Sequence, residues 1–256
     1  LHLIPLDTKS FEQAAQTSLG QPVKIGSIHL SLFPSPQLKL EGVTIGSEPK
    51  AQIATLRASP QLGSIWEAKK IFNRLELEGV NLPDEWLNAV LWGKRDDEAM
   101  KIGQVIVKAW KPSGGGLTLP PMDIDATFAK GGALEKVVAV NSEKTMTLKL
   151  GFAEGKGRIE LAGKPYKLPF GGGMEFQSFS GTGTLSANEL ILSEFEADTM
   201  GGNLTGNARL RWGANWNLDG EVNARGLDAG RVASLLISRG RLDGKGGYSM
   251  RAPSAV

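Results

Sequence analysis

There is no cysteine in the 256 residues of this chain. That absence removes disulfides, thiolate metal sites, iron–sulfur clusters and cysteine nucleophiles together. Histidine is nearly missing too: His2 and His29 are the two present. Neither has an acidic partner close in sequence, so imidazole-based acid–base chemistry has no evident seat. A dominant charge is also lacking, because 29 Lys and Arg against 27 Asp and Glu leave +2. Nucleic-acid-binding domains gather a basic excess on one face, and this balance argues against that class. No run approaches the ~18 consecutive apolar residues of a membrane-spanning helix.

What is abundant is glycine, with 33 residues, alongside 13 prolines. The glycine share is nearly twice the usual ~7%. Such a composition points away from helix bundles and toward many short strands joined by turns. At 27.3 kDa the chain is large enough for one big domain or two smaller ones, with a core that needs no covalent staples. It opens on Leu1 rather than methionine, and we read it as a piece of a longer or processed polypeptide.

A helix is expected over Ser10–Leu19. Ser10 and Gln13 form a capping box, Phe11, Ala14, Ala15 and Ser18 share a face, and Gly20 supplies the stop. After Pro22 the apolar period falls to 2, and its parity changes across Gly26-Ser27, the mark of a bulge. The device recurs. Leu38-Lys39-Leu40-Glu41-Gly42-Val43-Thr44-Ile45 matches Leu75-Glu76-Leu77-Glu78-Gly79-Val80-Asn81-Leu82, each alternating, breaking register at Glu-Gly, and resuming one residue late. We read this as a structural repeat with bulges at Gly42 and Gly79. Between the copies a strand (Gln52–Ala58) and a short helix (Gln61–Ala68) are predicted. A third helix starts at Pro83 with Trp86 and Val90 inward, and Lys101–Trp110 alternates as a strand.

Pro112-Ser113-Gly114-Gly115-Gly116 reads as a linker, dividing residues 1–111 from 117–256. Strands are expected beyond it at Met122–Phe128, Leu134–Val140, Met146–Phe152 and Arg158–Gly163, then a loop over Pro165–Gly173. From Gly181 the alternation is most regular. Leu204, Gly206, Ala208, Leu210 and Trp212 share one face, and Trp216, Leu218, Gly220, Val222 and Ala224 repeat it across a hairpin at Gly213-Ala214-Asn215. A brief helix (Asp228–Leu236) and a last strand aligning Leu242, Gly244, Gly246 and Tyr248 complete the chain. The expected fold is mainly β with a few short helices: a small α+β N-terminal module, then an elongated, twisted antiparallel sheet forming an apolar groove.

Catalytic constellations are scarce. His29 sits on the polar face of a strand. Asp96-Asp97-Glu98 reads as a solvated loop, and Asp123 and Asp125 share a strand face without the further oxygen ligands a metal needs. Gly181-Thr182-Gly183-Thr184 opens a strand rather than a helix, Gly155-Lys156-Gly157 lacks the spacing of a phosphate loop, and no Gly-x-Ser-x-Gly elbow occurs. Asn203-Leu204-Thr205 is a sequon by letter, and Trp110 between Lys108 and Lys111 reads as a strand-end tryptophan. The expectation is a protein that is not an enzyme and holds neither metal nor cofactor. What remains is the sheet. Glycine repeated on an apolar face removes side-chain volume and lets something else approach. Packed helices, barrel corners, or a trough filled by a non-protein ligand all satisfy that pattern.

The segment Gly20-Gln21-Pro22-Val23-Lys24-Ile25 through Phe33-Pro34-Ser35-Pro36, with the strand Leu38–Gly46 after it, resembles the N-terminal signature of the AsmA family. Pro60–Trp66 fits the helix before its second copy. In the distal half, Phe179–Leu185 and Met200-Gly201-Gly202-Asn203-Leu204-Thr205-Gly206 resemble the family's glycine run, with Met200 where an aromatic is common. The middle, about 111–173, is only loosely similar. The resemblance implies a periplasmic protein anchored to the bacterial inner membrane by an N-terminal helix outside the given residues. It also implies a role in outer-membrane biogenesis, carrying phospholipid or another acyl lipid in a β-groove. On that implication the groove candidates are Leu204, Gly206, Leu210, Trp212, Trp216, Leu218, Gly220 and Val222, with Gly206 and Gly220 leaving room above them. The competing expectation is an envelope scaffold that binds a protein partner by strand addition. No nucleic-acid partner is expected.

Overall fold

The computed structural model of this protein describes residues 4–33, 35–83, 85–93, 97–111, 120–153, 156–167, 175–213, 215–232 and 239–253. The chain is mainly β, with seventeen strands and three α-helices among the described residues. Among them no helix is long and apolar enough to cross a membrane. The chain divides into two compact units: residues 1–114 with 119–142, and residues 115–118 with 143–256. The strand pair that follows the glycine run thus groups with the first unit, while the run itself lies outside the described residues.

Unit 1 contains β1 (Ile4–Pro5), α1 (Thr8–Leu19), β2 (Val23–Lys24), β3 (Ser27–Ser31), β4 (Gln37–Ile45), β5 (Ala51–Pro60), β6 (Lys70–Asn81), α2 (Glu85–Trp92), β7 (Met100–Trp110), β8 (Met122–Phe128) and β9 (Leu134–Asn141). The strands form a sheet in the order β1-β3-β4-β5-β6-β7-β8-β9, with β2 beside β4 in line with β3. All neighbours are antiparallel except β6 and β7, which run parallel from Lys70↔Met100 to Glu78↔Lys108. Parallel neighbours require a crossover, and α2 lies in that connection.

The first helix starts earlier than its sequence suggests. Asp7 is the N-cap, its carboxylate accepting the Lys9 N–H at 3.3 Å, so Ser10 lies inside the helix. Aspartate caps as well as serine, and here it comes first. The stop is as expected: Gly20 has φ +64° and donates its N–H to Gln16 O. Phe11, Ala14, Ala15 and Ser18 are buried, and Phe11 and Ala15 join Ile28, Leu30, Leu38, Ile53, Phe72 and Leu75 in one hydrophobic core. Beneath Phe11 lies Lys70, 2% exposed, with its Nζ 4.9 Å from the ring centre and donating to Ile65 O and Glu67 O. Burial pushes its ammonium below the ordinary lysine range, and the Glu67 charge opposes that.

Two short predicted elements differ. Gln61–Ala68 forms only a 3₁₀ turn, Leu62–Ile65, because the Ser64 hydroxyl bonds Gln61 O and accepts the Ile71 N–H, folding the chain back toward β6. In α2, Trp86 faces inward, its indole seated on Gly46 and donating to Pro49 O at 2.9 Å, whereas Val90 is exposed.

The repeat is architecture. Gly42 (φ +63°) and Gly79 (φ +64°) lie on β4 and β6, one on each side of Ala54 of β5. Register carries the same row to Gly26, whose N–H donates to Glu41 O at 3.0 Å, and to Ala109 of β7 at φ +50°. Along this row the buried face changes parity in every strand, so Leu38 and Leu40 give way to Val43, and Ile53 to Ala58 across Ala54. Because neighbours slip together, β4, β5 and β6 keep register through the break. The Ala109 turn is held by Asp123, which accepts its N–H at 2.9 Å and meets Lys108 at 3.2 Å. The Ala109 bond, then Lys108, hold the Asp123 carboxyl below its usual range, partly opposed by burial.

Unit 2 contains β10 (Met146–Ala153), β11 (Lys156–Gly163), β12 (Tyr166–Lys167), β13 (Glu175–Leu185), β14 (Glu189–Thr199), β15 (Gly202–Arg211), β16 (Asn215–Asp228), α3 (Ala229–Val232) and β17 (Arg241–Pro253). It is an antiparallel sheet in the order β10-β11-β13-β14-β15-β16-β17, with β12 paired to the start of β13. The predicted helix Asp228–Leu236 is described as far as Val232. Between β14 and β15 only Met200 (φ +50°) and Gly201 (φ +73°) intervene, the two left-handed residues of a tight hairpin that matches strand twist.

Candidate functional site

Because strands alternate sides, the register of unit 2 fixes which residues share a face. Leu148, Leu161, Gly181, Phe195, Gly206, Val222 and Gly246 form one row across seven strands. The next row runs Leu150, Ile159, Gly183, Leu192, Ala208, Gly220, Tyr248; another runs Phe152, Gly157, Leu185, Leu190, Leu210, Leu218, Met250. On the other side, Met146, Gly163, Phe179, Ala197, Leu204, Ala224 and Gly244 make a fourth. Four rows deep, the face carries no ionisable side chain except the Tyr248 phenol. At ~4.8 Å between strands and ~3.4 Å per residue it spans about 29 Å by about 20 Å.

All eight groove residues read from the sequence fall within or at the end of this face. Leu204, Leu210, Leu218 and Val222 are half-buried on adjacent strands, and Trp212 and Trp216 close the hairpin end with ring centres 6.2 Å apart. Trp212 is fixed by its indole N–H, which donates to Ala187 O at 3.1 Å. The face is most buried at Leu150, Ile159 and Ala197 and opens toward β17, where Gly244, Gly246 and Met250 are exposed.

The room expected above Gly206 and Gly220 is occupied by protein. A side chain at Gly220 would strike Asn207 O and the Tyr248 ring, which lies across Gly220 and donates its hydroxyl to Asn207 O at 2.9 Å. At Gly206 it would strike Glu221 O and crowd the Phe195 ring, 3.1 Å away. Gly163 stands in the same relation to Phe179. In all three pairs the glycine and the aromatic are direct cross-strand neighbours, so the ring fills the space that the missing Cβ leaves. Open space lies instead over Gly244 and Gly246, where an added Cβ would meet nothing within 4 Å. Sequence reading aligned these two glycines with Tyr248 and left them out of the site. An aromatic placed opposite one glycine and none opposite the others was the signal, and it needs the register to be seen. Burial pushes the Tyr248 phenol above its ordinary value, with the Asp219 charge adding to the shift.

The opposite face is polar and cross-linked. Arg211 meets Asp219 at 3.0 Å, Asn203 donates to Glu196 and Asp198, and Ser178 donates to Asp198. The Ser178 bond first, then Asn203, hold the Asp198 carboxyl below its usual range. The sequon asparagine is therefore a strand residue tied to its neighbours. In unit 1, Asp125 accepts from Gln104, Asp97 accepts the Gly131 N–H, and His29 lies half-exposed beside Lys39. His2 and Asp96 lie outside the described residues. Among the described residues no three His, Asp or Glu side chains gather as a metal would require. Comparison with protein-family models, curated proteins and solved structures finds no match to this chain.

Proposed function

We propose that this chain is an AsmA-like lipid-binding and transport module of the bacterial periplasm. In this reading it is anchored to the inner membrane, supports outer-membrane biogenesis, and carries acyl chains on the apolar face of unit 2. One observation carries the proposal: an uncharged apolar face across seven strands that is half-buried on β15 and β16, exposed at Gly244, Gly246 and Met250 of β17, and open over Gly244 and Gly246. Exposed apolar areas of this extent mark a binding surface. An acyl chain laid along Leu204, Val222 and Ala224 gains ~0.8 kcal/mol for each methylene removed from water, while its head group stays at the β17 rim beside Lys245 and Arg241. The function is that of a carrier and not of an enzyme.

A direct test uses the tryptophan pair. Reconstitution with a phospholipid brominated on its acyl chains should quench fluorescence, and Trp216→Phe should remove a large part of that quenching. Quenching unaffected by Trp216→Phe would place the lipid elsewhere. A second reading has its own support. Among the described residues β17 pairs only with β16, so its 13 residues present an open edge to which a partner strand could add. A saturable peptide that binds the lipid-free protein, with no lipid uptake, would favour that scaffold.

A further inference from the structure

Of the eight large apolar side chains exposed among the described residues, five are gathered at one end of the unit 1 sheet: Ile4, Leu32, Phe33, Leu62 and Trp66. Register brings them together. Ser31 pairs with Gln37, Leu38 with Ala58, and Pro60 with Phe72, so the β3–β4 and β5–β6 connections leave the sheet at the same end. Ile4 joins them because it pairs with Leu30, two residues before Leu32. Phe33 is 80% exposed and Trp66 69%. Phe33 stands at a loop tip, and Trp66 at the mouth of a shallow hollow beside α1 that Asp7, Glu67 and Lys69 also line.

The exposed part of each connection is also free of charge, the second as far as Trp66, after which Glu67 and Lys69 follow. Between His29 and Lys39, and again between Arg57 and Glu67, nine consecutive residues carry no ionisable side chain. Over the whole chain 22% of residues are charged, so two such stretches meeting at one end form a surface suited to low dielectric. A protein partner of ordinary character would be met by a polar rim around a flat or concave patch. Here two exposed connections carry an indole and a phenyl ring, side chains that settle at the membrane–water boundary.

We infer that this end of unit 1 docks onto a lipid bilayer, with Phe33 and Trp66 entering the head-group and acyl boundary. The inference names the membrane contact of the carrier proposed above, yet it rests on unit 1 alone and survives if the unit 2 face holds no lipid. The test is flotation of the full chain with vesicles of phosphatidylcholine alone, and with equal parts phosphatidylethanolamine and phosphatidylglycerol. Binding to both is expected, with little loss in high salt, because the inserting side chains are uncharged and Glu67 and Lys69 beside Trp66 offset each other. Phe33→Ser and Trp66→Ser should each lower the partition by about tenfold, leave the circular dichroism spectrum and thermal midpoint unchanged, and leave copurified lipid in place. Phospholipids brominated near the head group should quench the wild-type chain more than Trp66→Phe. A wild-type chain that fails to float, or a double serine variant that floats like wild type, overturns the inference. So does binding to the anionic vesicles alone, since that assigns the contact to basic residues.

Discussion

The two units solve the same problem in different ways. In unit 1 the sheet buries its apolar face under α1, and Leu38, Ile28 and Leu30 are almost wholly removed from solvent. In unit 2 the only helix among the described residues is the four-residue α3, and Leu204, Leu210, Leu218 and Val222 stay half-exposed. Both sheets alternate and both are rich in glycine. The difference lies in what glycine does. In unit 1 it turns the backbone, at Gly42 and Gly79, so that one face remains buried past a parity change that neighbouring strands share in register. In unit 2 Gly163, Gly206 and Gly220 take an aromatic from the next strand, while Gly244 and Gly246 take nothing. A glycine on an apolar strand is thus filled where its cross-strand neighbour is aromatic, and stays open beside Val222 and Ala224.

The largest effect should separate the cores. Leu38→Ala should cost about 3–5 kcal/mol, because a wholly buried leucine leaves a cavity, whereas Leu218→Ala should cost about 1 kcal/mol from a half-exposed site. Denaturant titration of each variant reads both numbers, and equal costs would erase the distinction between a closed and an open face. Next come the two left-handed glycines. Gly79→Val forces a branched residue into φ +64° and brings its Cβ within 2.7 Å of the Ala54 methyl, whereas Gly42→Val meets only the strain. Backbone strain of this kind costs about 1–3 kcal/mol, and Gly79→Val should exceed Gly42→Val by the added overlap. Ala54→Gly should recover part of the first loss and none of the second.

Much of this was legible in the sequence, and the reason is periodicity. Alternation placed β10, β11, β15, β16 and β17, whereas β14 had no predicted strand and β12 falls in the expected loop Pro165–Gly173. The Glu-Gly break located the parity change at Gly42 and Gly79, which are left-handed residues in register and not bulges. The third member of that row was invisible. Ile53-Ala54-Thr55-Leu56 carries no glycine, so β5 changes parity with nothing in its own letters to announce it. Ala109 hides likewise, since its left-handed turn depends on Asp123, thirteen residues later in sequence order than Trp110. The site was half legible. Faces follow from alternation within a strand, but the partner that fills a gap follows from register between strands. That is why alternation alone leaves Gly220 open, and only the register shows Tyr248 lying across it.

Alkaline pH should distinguish the units by sign. Lys70 in unit 1 has a lowered pKa, so above that value the folded state has already released its proton. The unfolded chain keeps the proton up to its ordinary 10.5, and stability from this group rises with pH through that window. Tyr248 in unit 2 has a raised pKa, so its contribution is complete below the ordinary 10.0. It is lost above that pH, where the unfolded chain ionises first. Lys70→Met and Tyr248→Phe, compared with wild type by denaturation at mildly and strongly alkaline pH, should each remove one of these slopes. The smallest effect concerns Ala109→Gly, which relieves a left-handed alanine at the cost of unfolded-state entropy and should gain at most about 1 kcal/mol. A loss would mean that the Asp123 contact, and not the backbone, sets this turn.

The central claim is that lipid lies over the open half of the unit 2 face, and Gly246 and Gly247 test it as adjacent residues on opposite faces of β17. Neither would clash, because an added Cβ at Gly246 meets nothing within 4 Å and one at Gly247 meets only Gly220 O at 3.7 Å. Gly246→Glu puts a carboxylate where the acyl chain would lie, and Gly247→Glu puts the same charge on the polar face. Native mass spectrometry after mild purification should find lipid bound to the wild type and to Gly247→Glu, and none bound to Gly246→Glu, with all three equally folded. Lipid retained by Gly246→Glu, or absent from the wild type, would contradict the account.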